Sequence, residues 1–206
     1  MKPYSNDAIN KIYDLLFCDD LNLYVETSPT GYPWDLLFAE SAANADLQKI
    51  IDDKSLETRP KILAANRLLK QGVSTDQRQI FGVIIEVGLD EGLDVLAAYE
   101  DGCARYVNHS EKMIIWDTKT NESSGLIADL FASARTVVDR IGRWDGARRP
   151  PPTTGNVRLT FLVSNGLYFG EGPFDVLAQD QMAGPVIHHA TRLMNFLVST
   201  TLDQPL

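Results

Sequence analysis

The chain has 206 residues, of which 44% are hydrophobic and 23% charged, and it carries a net charge of −9 at pH 7. That composition suits one globular domain over 1–206, its portion up to about residue 75 rich in helix, and argues against a disordered or linker-dominated chain. The acidic balance argues against general nucleic-acid binding, which needs a basic face to displace counterions from phosphate. No apolar stretch approaches the length of a membrane span, and the opening MKPYSNDAINK lacks a basic-then-apolar leader. The expectation is a soluble cytoplasmic protein.

The first helix begins after the capping residues Ser5 and Asn6, with Asp7 at its positive end and Ile9, Ile12, Tyr13 and Leu16 on one face. Leu21, Leu23 and Val25 alternate with polar neighbours or Tyr24 and predict a half-buried strand. Ser28-Pro29-Thr30-Gly31-Tyr32-Pro33 is turn chemistry, and Trp34 to Ala39 is expected to return as a short strand. Two helices follow. The first is capped by Asn44 and faces inward with Leu47, Ile50 and Ile51. The second has Pro60 in its first turn, Ile62, Ala65, Leu68 and Leu69 on its apolar face and Gly72 as a stop. The polar segment 73–78 reads as a connector.

A meander is predicted over 79–116. Phe81, Val83, Ile85, Val87 and Leu89 are expected on one strand face, with Ile80 and Ile84 making the other partly apolar, the pattern of a covered strand. Turns at Asp90-Glu91-Gly92 and Glu100-Asp101-Gly102 are too short for parallel crossovers, so successive strands must be antiparallel. Ile127, Leu130, Phe131, Ala134, Val137, Val138 and Ile141 then predict a long helix ending by Gly142. Beyond a stiff Pro150-Pro151-Pro152 spacer, Asn165-Gly166 predicts a hairpin over 157–170, and a last helix starts near Pro185 with Val186, Ala190, Leu193, Met194 and Leu197 inward. The expected fold is α+β: a mostly antiparallel sheet of six or seven strands, the meander plus the hairpin, covered by helices on at least one face.

Chemical signatures are sparse. Gly170-Glu171-Gly172-Pro173 lacks both the P-loop ending and the dinucleotide glycine spacing, and reads as a turn or bulge. His188 and His189 are adjacent rather than four apart, and with His109 at a strand end they predict no metal site. The acidic clusters Asp19-Asp20, Asp90-Glu91-Asp94 and Glu100-Asp101 fall at turns, where carboxylates serve local hydrogen bonds. No G-x-S-x-G is present. Cys18 and Cys103 lie in apolar contexts that favour buried thiols over thiolate nucleophiles. No catalytic residue, metal or cofactor is therefore assigned.

The local anomaly is segment 135–149. Arg135, Arg140, Arg143, Arg148 and Arg149 face only Asp139 and Asp145 there, with Trp144 among them. Part of this is ordinary helix C-terminal chemistry. Arginine forks nevertheless suit carboxylate or phosphate, and an exposed Trp suits a contact anchor. Arg143, Trp144, Arg148 and Arg149 are the expected binding edge, for an unknown protein or a small anionic ligand. The function expected is non-catalytic ligand binding or protein interaction, with self-association into a homo-oligomer permitted. The alternative is a small hydrolase or transferase whose site assembles only in the fold.

Overall fold

The computed structural model describes residues 2–25, 30–73 and 76–202. Its centre is a six-stranded, wholly antiparallel sheet in the order β4-β3-β2-β1-β5-β6. The strands are β1 (Ile80–Leu89), β2 (Gly92–Tyr99), β3 (Ala104–Val107), β4 (Met113–Trp116), β5 (Asn156–Val163) and β6 (Gly166–Pro173). The meander and the hairpin therefore form as their turn residues require, with Gly92, Gly102 and Gly166 all at positive φ.

Helices cover both faces. One apolar core lies beneath α1 (Asp7–Leu15), α2 (Trp34–Phe38), α3 (Asn44–Asp52) and α4 (Thr58–Lys70), where Phe17, Leu37, Leu47, Ile50 and Ile62 meet Phe81, Ile84 and Val95. The other lies beneath α5 (Asn121–Val138) and α7 (Ala183–Leu202), where Leu130, Ala134 and Leu193 meet Val83, Ile85 and Phe161. The short α6 (Phe174–Leu177) links β6 to α7.

Five expectations are corrected. Leu21–Tyr24 is a 3-10 helix rather than a strand, because the Asp20 side chain accepts from the Asn22 backbone N–H and closes a turn. The Glu26-to-Pro29 part of that prediction and of the following turn, like residues 74–75 of the connector, lies outside the described residues. Trp34–Phe38 is the helix α2, not a strand. Trp34 stacks between Tyr24 and Phe38 at ring distances of 5.8 and 5.9 Å, a helical i, i+4 contact that an extended chain cannot make. Phe81 joins Ile84 on the N-terminal face, because a bulge between Ile80 and Gly82 inserts one residue against β5 and inverts the alternation. Gly170 to Pro173 continue β6 opposite β5 instead of turning, since Arg158 of β5 engages Glu171 across the strands. Finally, Phe131 is only half-buried at the margin of the α5 stripe, whereas Leu130 is fully enclosed.

That difference sets a graded expectation. Leu130→Ala should lose about 2–5 kcal/mol in denaturant unfolding, the range for a fully buried leucine. Phe131→Ala should lose clearly less than Leu130→Ala, despite removing the larger side chain. A reversed order would place the Phe131 ring inside the core.

Helix α5 begins on a reciprocal capping box in which Thr120 and Ser123 satisfy each other's backbone N–H groups. It ends at Val138, and the chain from Arg143 to Thr153 then crosses to the N-terminal face as a strap. Trp144 N–H donates to the Leu167 carbonyl at 2.7 Å, an antiparallel bridge on the free edge of β6. Further on, the strap passes over Gly88 of β1, where a Cβ would lie 2.3 Å from the Thr153 carbonyl oxygen and 2.7 Å from that of Pro152. Only glycine admits a crossing this close.

Candidate functional site

Between the strap and helices α1 and α4 lies an open groove of about 1090 Å³. Its floor is lined by Phe17 of the turn after α1, Ile62 and Leu69 of α4 and Leu162 and Leu167 of the sheet, of which Leu69 and Leu167 keep part of their surface open while the other three are buried. Arg143, Trp144, Arg148 and Arg149 all line its strap side. The fold thus brings the four expected residues to one wall, but their roles differ.

Arg148 is a structural fastening. Its guanidinium donates to Asp14 at 2.7 Å and Asp19 at 2.8 Å, and lies 4.0 Å above the Phe17 ring. Partial burial works against its charge, yet Asp19 and Asp14 hold its pKa above the usual arginine value. It ties the strap to α1 and the turn after it. Arg143 is folded onto its own loop, bonded to Asp145 at 3.0 Å through Nε and to the Asn165 carbonyl. Trp144 donates its indole N–H to the Ala147 carbonyl and sets its ring edge-to-face on Phe169, but leaves 41% of its surface open. Arg149 is the least committed cation of the set. Its side chain is 55% exposed, and its one carboxylate contact, Glu171 at 3.9 Å, is long. That carboxylate already takes Arg158 at 2.9 Å.

Beneath the strap runs a charged row that sequence reasoning missed. Glu86 of β1, Arg158 of β5 and Glu171 of β6 are directly opposed across three strands. Arg158 bonds Glu171 through Nε at 3.0 Å, lies 3.6 Å from Glu86 Oε2, and donates to the strap carbonyls of Arg149 and Pro150. Glu86 has no exposed surface; its Oε1 accepts from the Tyr13 hydroxyl at 2.6 Å, while Oε2 has no hydrogen-bond donor. Burial pushes the Glu86 carboxyl above the ordinary carboxylate range, against the Tyr13 bond and the Arg158 charge. A lone Glu and a lone Arg inside the apolar runs 80–89 and 157–163 were the available signal, since such a charge survives burial only when paired.

The other candidates fall away from the groove chemistry. Cys18 is fully buried, and burial pushes its thiol up to about 12, far from a nucleophilic thiolate. His109 is bonded to Asp94 at 2.9 Å, and His188 and His189 stand edge-to-face with each other on α7. Among the described residues no three His, Cys, Asp or Glu side chains come together as a metal site, and no helix is long and apolar enough to cross a membrane. The class defined by the fold is an α+β protein with a two-faced, helix-covered antiparallel sheet. No protein-family model matches the chain, and no curated protein matches it either.

Proposed function

We propose that this is a non-catalytic binding protein whose groove takes an anionic ligand with an apolar or aromatic body. The observation that carries the reading is the presence on one wall of the groove of the partly exposed Trp144 ring and the loosely held Arg149, with the half-buried Leu167 beside them in the lining. An apolar surface with a few convergent polar groups is the usual anatomy of a ligand site. Arg149 supplies a fork for carboxylate or phosphate, Trp144 a stacking surface, and the Arg148 fastening with the Arg158 bonds holds the wall in place beforehand. A raised carboxyl pKa such as that of Glu86 also suits a general acid, but a group with no exposed surface does not reach a substrate.

The test is titration with an aryl carboxylate such as naphthoate, and separately with inorganic phosphate, following indole fluorescence and heat. Arg149→Glu should weaken aryl carboxylate binding by about tenfold or more. Trp144→Ala should weaken it and abolish the fluorescence change. Binding should also fall as salt is raised. Arg192→Glu on α7, outside the groove, serves as the charge control. Equal affinity in the Arg149 and Trp144 variants, with the fold intact, would overturn the reading. Arg148→Glu is unsuitable here, because it would crowd three carboxylates and report on stability instead.

A further inference from the structure

We infer that the proton on Glu86 sets the groove's affinity for an anion: with it Arg149 is left to the ligand, and without it Glu171 takes Arg149. The inference deepens the ligand reading above and rests on it for the occupant. Four charges of alternating sign stand in order from β1 to the strap: Glu86, Arg158, Glu171 and Arg149. With Glu86 protonated the row carries a single net positive charge, and its exposed end is Arg149. With Glu86 ionised the row is neutral. An anion in the groove is then weakened twice, by the lost charge and by competition for Arg149.

The competitor is Glu171. Its contacts with Arg158, at 2.9 and 3.0 Å, both fall on Oε2, leaving Oε1 to accept from a second cation. Arg149 stands 3.9 Å from that carboxylate. An ionised Glu86 divides the Arg158 charge between two carboxylates, and Glu171 draws Arg149 in to restore its balance. The link is also mechanical. Arg158 Nη1 lies 3.6 Å from Glu86 Oε2 and donates to the Arg149 carbonyl, so a move toward Glu86 acts on that residue of the strap.

Glu86 is placed to hold a proton because its Oε2 is buried without a donor, and burial outweighs Tyr13 and Arg158 in setting its pKa. The groups facing it are Tyr13 of α1, Tyr4 before that helix, Arg148 of the strap and its row partners, while β2 sets only Val95 opposite. Burial holds both tyrosines above their ordinary range, so they stay neutral, and arginine keeps its charge in a protein. Among the described residues no histidine lines the groove.

Naphthoate is titrated into the full chain from about pH 5.5 to 8.5, where an aryl carboxylate stays ionised. The parent's affinity should fall about fivefold or more as Glu86 ionises, the high-pH side being the weaker. Glu86→Gln should keep the tighter affinity at every pH. Tyr13→Phe removes a bond that favours the charged form, without changing net charge, and should move the midpoint of the fall to higher pH. A merely structural role for Tyr13 gives no such shift. Glu171→Gln should bind more tightly than the parent, most of all at high pH. Phenylglyoxal labelling of Arg149, mapped by mass spectrometry, reads the row without ligand. Labelling in Glu86→Gln relative to the parent should rise with pH through the same window. Naphthoate binding with an affinity flat in pH overturns the inference, as does parent-like pH dependence in Glu86→Gln. If naphthoate binds at no pH, the ligand reading falls, and a flat labelling ratio then overturns this inference separately.

Discussion

Arg158→Met should lower unfolding free energy by about 3–5 kcal/mol, the cost of leaving the buried Glu86 carboxyl without its cation. The methionine keeps most of the stem packing, so the loss measures the guanidinium. Without it, Glu86 has no facing cation on β5, Glu171 loses its 2.9 Å partner, and the Arg149 and Pro150 carbonyls lose their donor. The deficit should be largest at neutral pH and shrink in acid, where protonation removes the unpaired charges. A double-mutant cycle with Glu86→Gln should show strong coupling, because the neutral amide no longer needs the cation.

Glu86 also gives the parent protein a pH signature with a definite sign. Its folded pKa is raised by burial, so the folded chain keeps a proton that the unfolded chain releases earlier. The resulting stabilisation is complete below the ordinary carboxylate pKa and is lost as pH rises through the elevated value. Denaturant midpoints across that window should decline in the parent and decline less in Glu86→Gln. Identical slopes would mean that Glu86 titrates normally.

Phe17→Ala should cost a further class of stability, about 3–5 kcal/mol for a fully buried ring. Phe17 is 1% exposed, packs edge-to-face on Tyr13 at 5.3 Å, and carries the Arg148 guanidinium 4.0 Å from its ring centre. The substitution removes both core volume and the platform beneath the strap fastening. Urea unfolding reads the first. Limited trypsin digestion reads the second, through faster cleavage after Arg148 or Arg143 while the rest of the chain stays protected. Phe17→Leu should recover much of the stability but less of the strap protection, because it restores apolar volume without a π face.

The meander was legible because its information is local: Gly92 and Gly102 permit turns, and short turns dictate antiparallel neighbours. Helix α5 was legible for the same reason, from a single stripe along one face. The 3-10 turn at Leu21–Tyr24 and the helix α2 were not, since short segments take their conformation from contacts such as the Trp34 stack rather than from periodicity. The bulge at Phe81 was hidden because alternation presumes an unbroken register, and the register depends on β5, about seventy-five residues later.

The groove followed the same division. Clustering of Arg143, Trp144, Arg148 and Arg149 was visible as composition, and the strap carries all four to one wall. Which of them is open was decided elsewhere, by Asp14 and Asp19 from α1 and its following turn, by Asp145, and by Glu171 on β6. By itself, then, the sequence determined the antiparallel strands, the long helices and the presence of a basic aromatic segment, because each rests on neighbours a few residues apart. Only the tertiary structure decided the strand order, the Glu86–Arg158–Glu171 row and the distinct roles of the arginines. Those depend on ionic and steric partners brought together from distant parts of the chain, and a charge shows whether it is fastened or free only once its partners are in place.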